Sequence, residues 1–223
     1  LAVGRNRDVL SELAAAAKDQ PGYVAPCAVD VLDEDAPERI VAAAVEAFAG
    51  IDVLVNAAGV IGTGTIENTS DEGWDQMLDI NLRAPFRLIR AAVPRLARRR
   101  GAIVNVSSVT GLRAFPGVLS YCVSKAGMDQ LTRCAALELA PMGVRINGVN
   151  PGVVVTNLHR RSGFSEQKYA DFLEHSRSTH PLGRAGKPEE IAELILFLGA
   201  DRSGWITGET IAIDGGRHLT CAR

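Results

Sequence analysis

Two residues of the segment SYCVSKAGMDQLT, positions 120–132, can do acid–base chemistry together. They are Tyr121, one of three tyrosines in the chain, and Lys125, four positions on. On a helix, positions i and i+4 share a face, so the phenol and the ammonium would project to one side. A free phenol ionises near pH ~10, and a fixed positive charge beside it favours the phenolate and lowers that value. A phenol tuned in this way can give a proton to a carbonyl oxygen, or take one from an alcohol, near neutral pH. Ser108 lies upstream, at the end of an apolar strand, and its hydroxyl can hold a substrate oxygen where charge develops. A Y-x-x-x-K pair alone is weak, since helices carry exposed pairs of this kind by chance. The serine, placed after a strand that itself follows an N-A-A-G strand, argues against chance.

These three residues need a scaffold that brings a strand end beside a helix face. Apolar runs alternate with amphipathic stretches along the whole chain. The pattern predicts strands at 1–3, 23–29, 51–55, 102–106, 144–149 and 210–213. It predicts helices at 7–18, 36–48, 71–98 (interrupted near Asn81 and Pro85), 120–141 and 188–198. The run IDVLV at 51–55 has no polar break, which predicts burial on both faces. Repeated strand-then-helix units predict an α/β fold, a Rossmann-like doubly wound parallel sheet in three α/β/α layers, formed as one domain over 1–223. Ligands of such sheets sit beyond the carboxyl ends of the strands. That rule draws attention to Asp30, to Asn56-Ala57-Ala58-Gly59 and to Ser107-Ser108. Asp30 could accept from an adenine amino group or equally be a helix cap. The small residues after Asn56 suit either a cofactor wall or a tight turn.

The bulk composition narrows the function classes. Net charge is −2, and the basic run Arg98-Arg99-Arg100 falls where a helix should end, so it complements the helix dipole rather than nucleic acid. No apolar run reaches the roughly 18 residues needed to cross a bilayer. Cys27, Cys122, Cys134 and Cys221 lack C-x-x-C spacing and read as reduced thiols of a cytoplasmic protein. The four histidines lack ligand spacing, so no metal site is expected.

Taken in order, several pieces resemble the short-chain dehydrogenase/reductase family. They are Asp30, NAAG (56–59), Asn81 in DINLRAPF, VNVSS (104–108), YCVSK (121–125), RINGVNPG (145–152) with Thr156, and ITGETIAIDGG (206–216). The stretch PLGRAGKPEEIAELILFLGADRSGWITG is similar to that of beta-ketoacyl-(acyl carrier protein) reductases. The resemblance implies an oxidoreductase that moves a hydride between a nicotinamide cofactor and a carbonyl or secondary alcohol. Tyr121 would be the general acid/base. Lys125 would tune Tyr121 and hold the nicotinamide ribose, and Ser108 would orient the substrate oxygen. Asn81 would hold a water that relays protons from Lys125. Asp30, Val31, Asn56, Ala57, Ala58 and Gly59 would flank the cofactor, and Pro151, Gly152, Val154 and Thr156 would seat the nicotinamide.

The family's T-G-x-x-x-G-x-G turn, which together with its helix N-terminus holds the pyrophosphate, has no counterpart here. The expectation is that the natural protein carries roughly 30 to 40 further residues upstream, the size of one strand–helix unit, supplying the central strand. Gly4 and Arg5 follow the first strand where NAD-preferring members place an acid. An arginine there suits a 2′-phosphate, so NADP is expected, with NAD possible if Arg5 points to solvent. Segment 157–182 is the least family-like and should cover the substrate as a lid. Its His159, Phe164, Tyr169, Phe172 and His175 either line the pocket or pack the lid down; Phe115 and Cys122 could border the pocket. The helices at 84–96 and 128–139 carry surplus apolar surface, and the resemblance implies that they form a four-helix contact between subunits, so a homotetramer or homodimer is expected. Two rivals stand beside this reading: a non-catalytic binding or scaffold protein that keeps the fold, and a sugar-nucleotide epimerase or dehydratase.

Overall fold

The computed structural model describes residues 1–220. Six parallel strands alternate with helices. β1 (Ala2–Gly4) pairs with β2 (Pro26–Ala28). β3 (Val53–Asn56), β4 (Ala102–Val106), β5 (Arg145–Pro151) and β6 (Thr210–Ile213) form a second sheet in that order. The helices are α1 (Arg7–Ala16), α2 (Ala36–Phe48), α3 (Asp71–Leu78), α4 (Ala84–Arg99), α5 (Val109–Leu112), α6 (Leu119–Leu139), α7 (Leu158–Arg161), α8 (Glu166–Thr179) and α9 (Pro188–Gly199). Among the described residues no helix is long and apolar enough to cross a membrane.

The four-stranded sheet has a core on each face, which follows from alternation along its strands. Ile103 of β4 and Ile146 of β5 point to one side and pack on Ile89 and Leu96 of α4 and on Ala135 and Leu139 of α6. Val104 and Val149 point to the other side and pack on Ile191 and Leu198 of α9. This is the expected three-layer arrangement, and β4 and β5 are its buried centre.

Several boundaries differ from the sequence reading. The strand expected at 23–29 shrinks to three residues. The Tyr23 hydroxyl donates to the Ala47 carbonyl and its ring stacks on Phe48 at 4.9 Å, which draws this segment onto the end of α2 instead of into the ladder. The helix at 7–18 ends at Ala16, with Ala17 as its cap. The apolar run 51–55 is not buried on both faces: Val53 and Val55 remain 43 % and 39 % exposed. Among the described residues β3 pairs only with β4, and its other edge faces a groove of about 570 Å³ toward Leu1 and Val3, roofed by Ile40, Ala44 and Leu88 of α2 and α4. The interruption expected near Asn81 is a π-helical turn, Asp79–Arg83, between α3 and α4. Such wide turns re-aim one side chain within an otherwise continuous helix. Cys27, Cys122 and Cys134 carry free thiols; Cys221, counted with them from the sequence, lies outside the described residues.

Candidate active site

β4 ends in Val106, and the chain then turns sharply. The Ser107 N–H donates to the Val149 carbonyl at 2.8 Å, which extends the β4–β5 register by one residue. Ser108 is extended and caps the single turn of α5, its Oγ accepting from Thr110 N–H at 3.1 Å. Ser107 Oγ donates to the carbonyl of Lys125 at 3.2 Å and ties the strand end to the second turn of α6. The start of α6 is held by the loop after β3: Gly64 N–H donates to Gly117 O and Leu119 N–H to Gly64 O. Gly117, at φ 78°, makes a turn that a β-carbon would strain. Ser108, Tyr121 and Lys125 therefore line one cavity of about 630 Å³, whose walls are mainly apolar.

Within that cavity the ammonium of Lys125 lies 5.8 Å from the centroid of the Tyr121 ring and donates to the Val106 carbonyl at 2.8 Å. Both residues are buried. Burial lowers the Lys125 pKa to about 8, and Asp129 one turn further along α6 opposes that shift. The expectation that the lysine brings the tyrosine down needs correction. The Tyr121 pKa is raised, because desolvation of the phenolate outweighs the hydrogen bond toward Ser108 that pulls it lower. Tyr121 is accordingly a protonated donor at neutral pH.

Asn81 is completely buried in the π turn. Its Oδ1 accepts from Val60 N–H at 2.9 Å, and its Nδ2 donates to Val60 O at 2.9 Å and to Ser124 Oγ at 3.1 Å. Both ends of the amide are thus committed to bracing the loop after β3 against α6, and this residue does not line the cavity. Asn56 also points inward. Its Nδ2 donates to Asn105 Oδ1 at 2.8 Å, and Asn105 in turn donates to Thr132 Oγ1 at 2.9 Å, so the Asn56 side chain is spent inside the sheet.

The other expected cofactor positions divide between two clefts. Ala57, Gly59, Pro151, Gly152, Val154 and Thr156 line the cavity that holds Tyr121 and Lys125. Val31, Asn56 and Ala58 line the groove beside β3, and Ala57 lines both, so the two clefts meet there. The glycines allow close approach. A β-carbon on Gly59 would sit 3.2 Å from Asn81 Oδ1, and one on Gly152 would sit 2.9 Å from His180 Nε2. Arg5 and Asp30 lie at the adjacent ends of β1 and β2 and face each other at 3.6 Å, with the arginine well exposed. Asp30 Oδ1 accepts from Leu32 N–H at 3.0 Å in the turn after β2; it does not cap a helix, since α2 begins at Ala36 with Asp35 as its N-cap.

Segment 157–182 folds as α7 and α8 over the cavity mouth. His159, Phe164 and Phe172 form one cluster, with the imidazole 4.4 Å from the Phe172 ring, and all three line the cavity. Tyr169 instead pins the segment down: its hydroxyl donates to Thr156 O at 2.9 Å and accepts from Thr156 N–H at 3.0 Å. His175 is exposed. Phe115 lines the cavity, whereas Cys122 does not and points its thiol toward Phe115 O.

The sequence reading missed two interior polar contacts. Asn150 donates to Asp129 Oδ2 at 2.9 Å and to the Ser108 carbonyl at 2.9 Å, which joins β5, α6 and the turn that carries Ser108. Asp129 leaves so little room that a β-carbon on Gly111 would meet its Oδ2 at 2.3 Å. Asparagines inside otherwise apolar strands, as in AIVNV and INGVN, were the available signal, because buried amides need partners.

Comparisons with known proteins bear on the fold and the family. A family profile described as enoyl-(acyl carrier protein) reductase, of the short-chain alcohol dehydrogenase type, matches residues 1–218. The chain is 39 % identical over 212 residues to 3-oxoacyl-(acyl-carrier-protein) reductase FabG of Thermotoga maritima, covering 95 % of this chain and 84 % of that protein. It is 37 % identical over 190 residues to trans-4-hydroxycyclohexanecarboxylate dehydrogenase of Sinomonas cyclohexanicum, covering 84 % of this chain and 68 % of that one. A crystal structure of a short-chain dehydrogenase/reductase of unknown function from Caenorhabditis elegans, with cofactor, superposes with a TM-score of 0.91 at 35 % identity, covering 99 % of this chain and 86 % of that one.

Proposed function

Because the chain belongs to the short-chain dehydrogenase/reductase family of oxidoreductases, we propose that it interconverts a carbonyl compound and its secondary alcohol with NADP(H), using Ser108, Tyr121, Lys125 and Asn81. The observation that carries this reading is the meeting of the Ser108, Tyr121 and Lys125 side chains in one largely apolar cavity at the strand ends. A nicotinamide bound there supplies the hydride for the carbonyl carbon. Tyr121, held protonated by burial, gives its proton to the carbonyl oxygen as that oxygen gains charge. Ser108 hydrogen-bonds the same oxygen and fixes it opposite the phenol. Lys125 stabilises the phenolate left behind, because its ammonium stands on the same wall. Asn81 acts as a positioning residue, holding the Val60 loop beside Lys125. In the alcohol-to-carbonyl direction each proton step runs in reverse.

The residues present fit a dinucleotide. Ala57, Gly59, Pro151 and Gly152 line the cavity wall with small or backbone surface, and Arg5 offers an exposed guanidinium at the end of β1 for a 2′-phosphate. The apolar lid wall of Phe164, Phe172 and Phe115 favours a substrate with a hydrocarbon body. Exposed apolar residues on the outer faces of α4 and α6, Phe86 and Leu137 among them, fit association with further copies. A panel of ketones and secondary alcohols, assayed with both nicotinamide dinucleotides on full-length protein, tests the reading. We expect nucleotide-dependent conversion of at least one ketone; absorbance that never changes across the panel defeats it.

A further inference from the structure

His180 follows the last residue of α8, is 3 % exposed, and has both ring nitrogens engaged. Nδ1 lies 2.9 Å from the Ser176 carbonyl and 3.1 Å from Thr179 Oγ1. Nε2 lies 3.2 Å from the backbone nitrogen of Val153, in the loop after β5. The roles of two of these partners are obligatory. A carbonyl oxygen can only accept, so Nδ1 carries the hydrogen, and a peptide N–H can only donate, so Nε2 must be bare. This imidazole is therefore neutral in one defined tautomer, and it bridges the end of the lid helix to the residues lining the inner cavity wall.

We propose that His180 is a positioning residue whose neutral ring ties α8 to the loop Gly152–Val154, and that protonation of Nε2 unties them and weakens nucleotide binding. The proposal rests on the reading that this loop seats the nicotinamide. A proton on Nε2 would confront the Val153 N–H donor with a second donor, and the bond would be lost. Gly152 packs so closely on the ring that a β-carbon there would lie 2.9 Å from Nε2, so the imidazole is seated directly against this loop.

The groups around the ring pull in different directions. Burial holds the His180 pKa below its ordinary 6.5; the Ser176 carbonyl and Asp214 at the end of β6 raise it, and Arg217 lowers it. Asp214 is largely committed elsewhere, accepting from His218 N–H and from His218 Nδ1 at 2.9 Å. Arg217 donates to the Thr179 carbonyl at 3.1 Å, and Arg113 donates to the Arg217 carbonyl at 3.3 Å. The sign follows from the depressed value: the tie is present above the ordinary histidine pKa and is lost as pH falls through the lower folded one.

Fluorescence titration of full-length protein with NADPH and NADH, carried from pH about 8 down to the acid limit at which the protein stays folded by circular dichroism, reads this directly. The wild type should lose affinity on the acid side, at pH below the ordinary histidine value, and the loss should deepen as pH falls further. His180→Gln keeps an acceptor near Val153 and does not titrate, so it should bind nearly normally at neutral pH without the acid loss. An equal acid loss in His180→Gln, or a flat wild-type profile, overturns the proposal. NMR of the wild type gives a readout that needs no variant and no nucleotide: the Val153 amide should shift in step with the His180 imidazole. An amide that stays still while the ring protonates overturns the tie. Coupled shifts in a protein that binds neither nucleotide uphold the tie and defeat the dehydrogenase reading instead.

Discussion

The Lys125 ammonium and the Tyr121 ring share one cavity wall, 5.8 Å apart from nitrogen to ring centroid, and both are buried. The pairing places a cation where a phenolate would form. Burial acts on both groups in the same sense, favouring neutral lysine and neutral tyrosine, and this sets how they respond to substitution and pH.

Tyr121→Phe should remove the transferable proton and little else. Turnover should fall by about two to four orders of magnitude, the usual share of a general acid. Nucleotide affinity, read by fluorescence titration, should stay within a factor of about three of wild type. Retained turnover would assign the proton transfer to another group.

The pH profile should follow the lysine. With the Lys125 pKa at about 8, the ammonium is charged at neutral pH and discharges above that value. Carbonyl reduction should therefore decline as pH rises through about 8, since the phenolate left by proton transfer loses its counter-charge. Lys125→Met should abolish this limb along with most activity.

The same substitution should stabilise the fold. The Lys125 pKa is depressed in the folded state, so keeping the buried lysine charged opposes folding at pH 7; the penalty fades as pH rises from about 8 toward 10.5, where the folded chain sheds its proton first. A shift of that size corresponds to roughly 3 to 4 kcal/mol, so denaturant unfolding at pH 7 should show Lys125→Met more stable by up to that amount. A less stable variant would mean that the bond to Val106 O outweighs the desolvation.

Arg5→Ala should separate the two dinucleotides. NADPH affinity should drop by about tenfold while NADH affinity changes little, because only the former carries a phosphate for the guanidinium. Equal losses, or none, would show that Asp30, 3.6 Å away, keeps the arginine from the nucleotide.

Asn105→Ala should cost roughly 1–3 kcal/mol in an unfolding titration, since it strands the Asn56 amide donor in the core, although the Thr132 hydroxyl keeps its bond to the Met128 carbonyl. Asn105→Asp should be at least as damaging, because it buries a carboxylate. A neutral Asn105→Ala would mean that water replaces the lost partners.

The elements most legible from sequence were those whose pattern is local. Helix α2 matches its expected span, and α6 begins one residue early, because apolar spacing and terminal signals are carried by adjacent residues. The break at Asn81 was legible as a disturbance, but its π-helical form was not, since the choice depends on what the Val60 loop offers the asparagine. The exposure of Val53 and Val55 was not legible either: an apolar run states what a strand can bury, and the neighbours decide what it does bury. Tyr169 and Phe172 sit three positions apart on α8, yet one fastens the lid and the other faces the cavity.

By itself the sequence determined the alternation of strands and helices, the spacing that puts Tyr121 and Lys125 on one helical face, and the family to which the order of motifs belongs. Covalent spacing and periodicity suffice for such properties, because they are local to the chain. The tertiary structure decided what surrounds each group. It set a raised tyrosine and a lowered lysine instead of a lowered tyrosine, an Asn56 turned into the sheet, and a His180 with a defined tautomer. Desolvation and hydrogen-bond partnership depend on residues distant in sequence, and only packing brings those together.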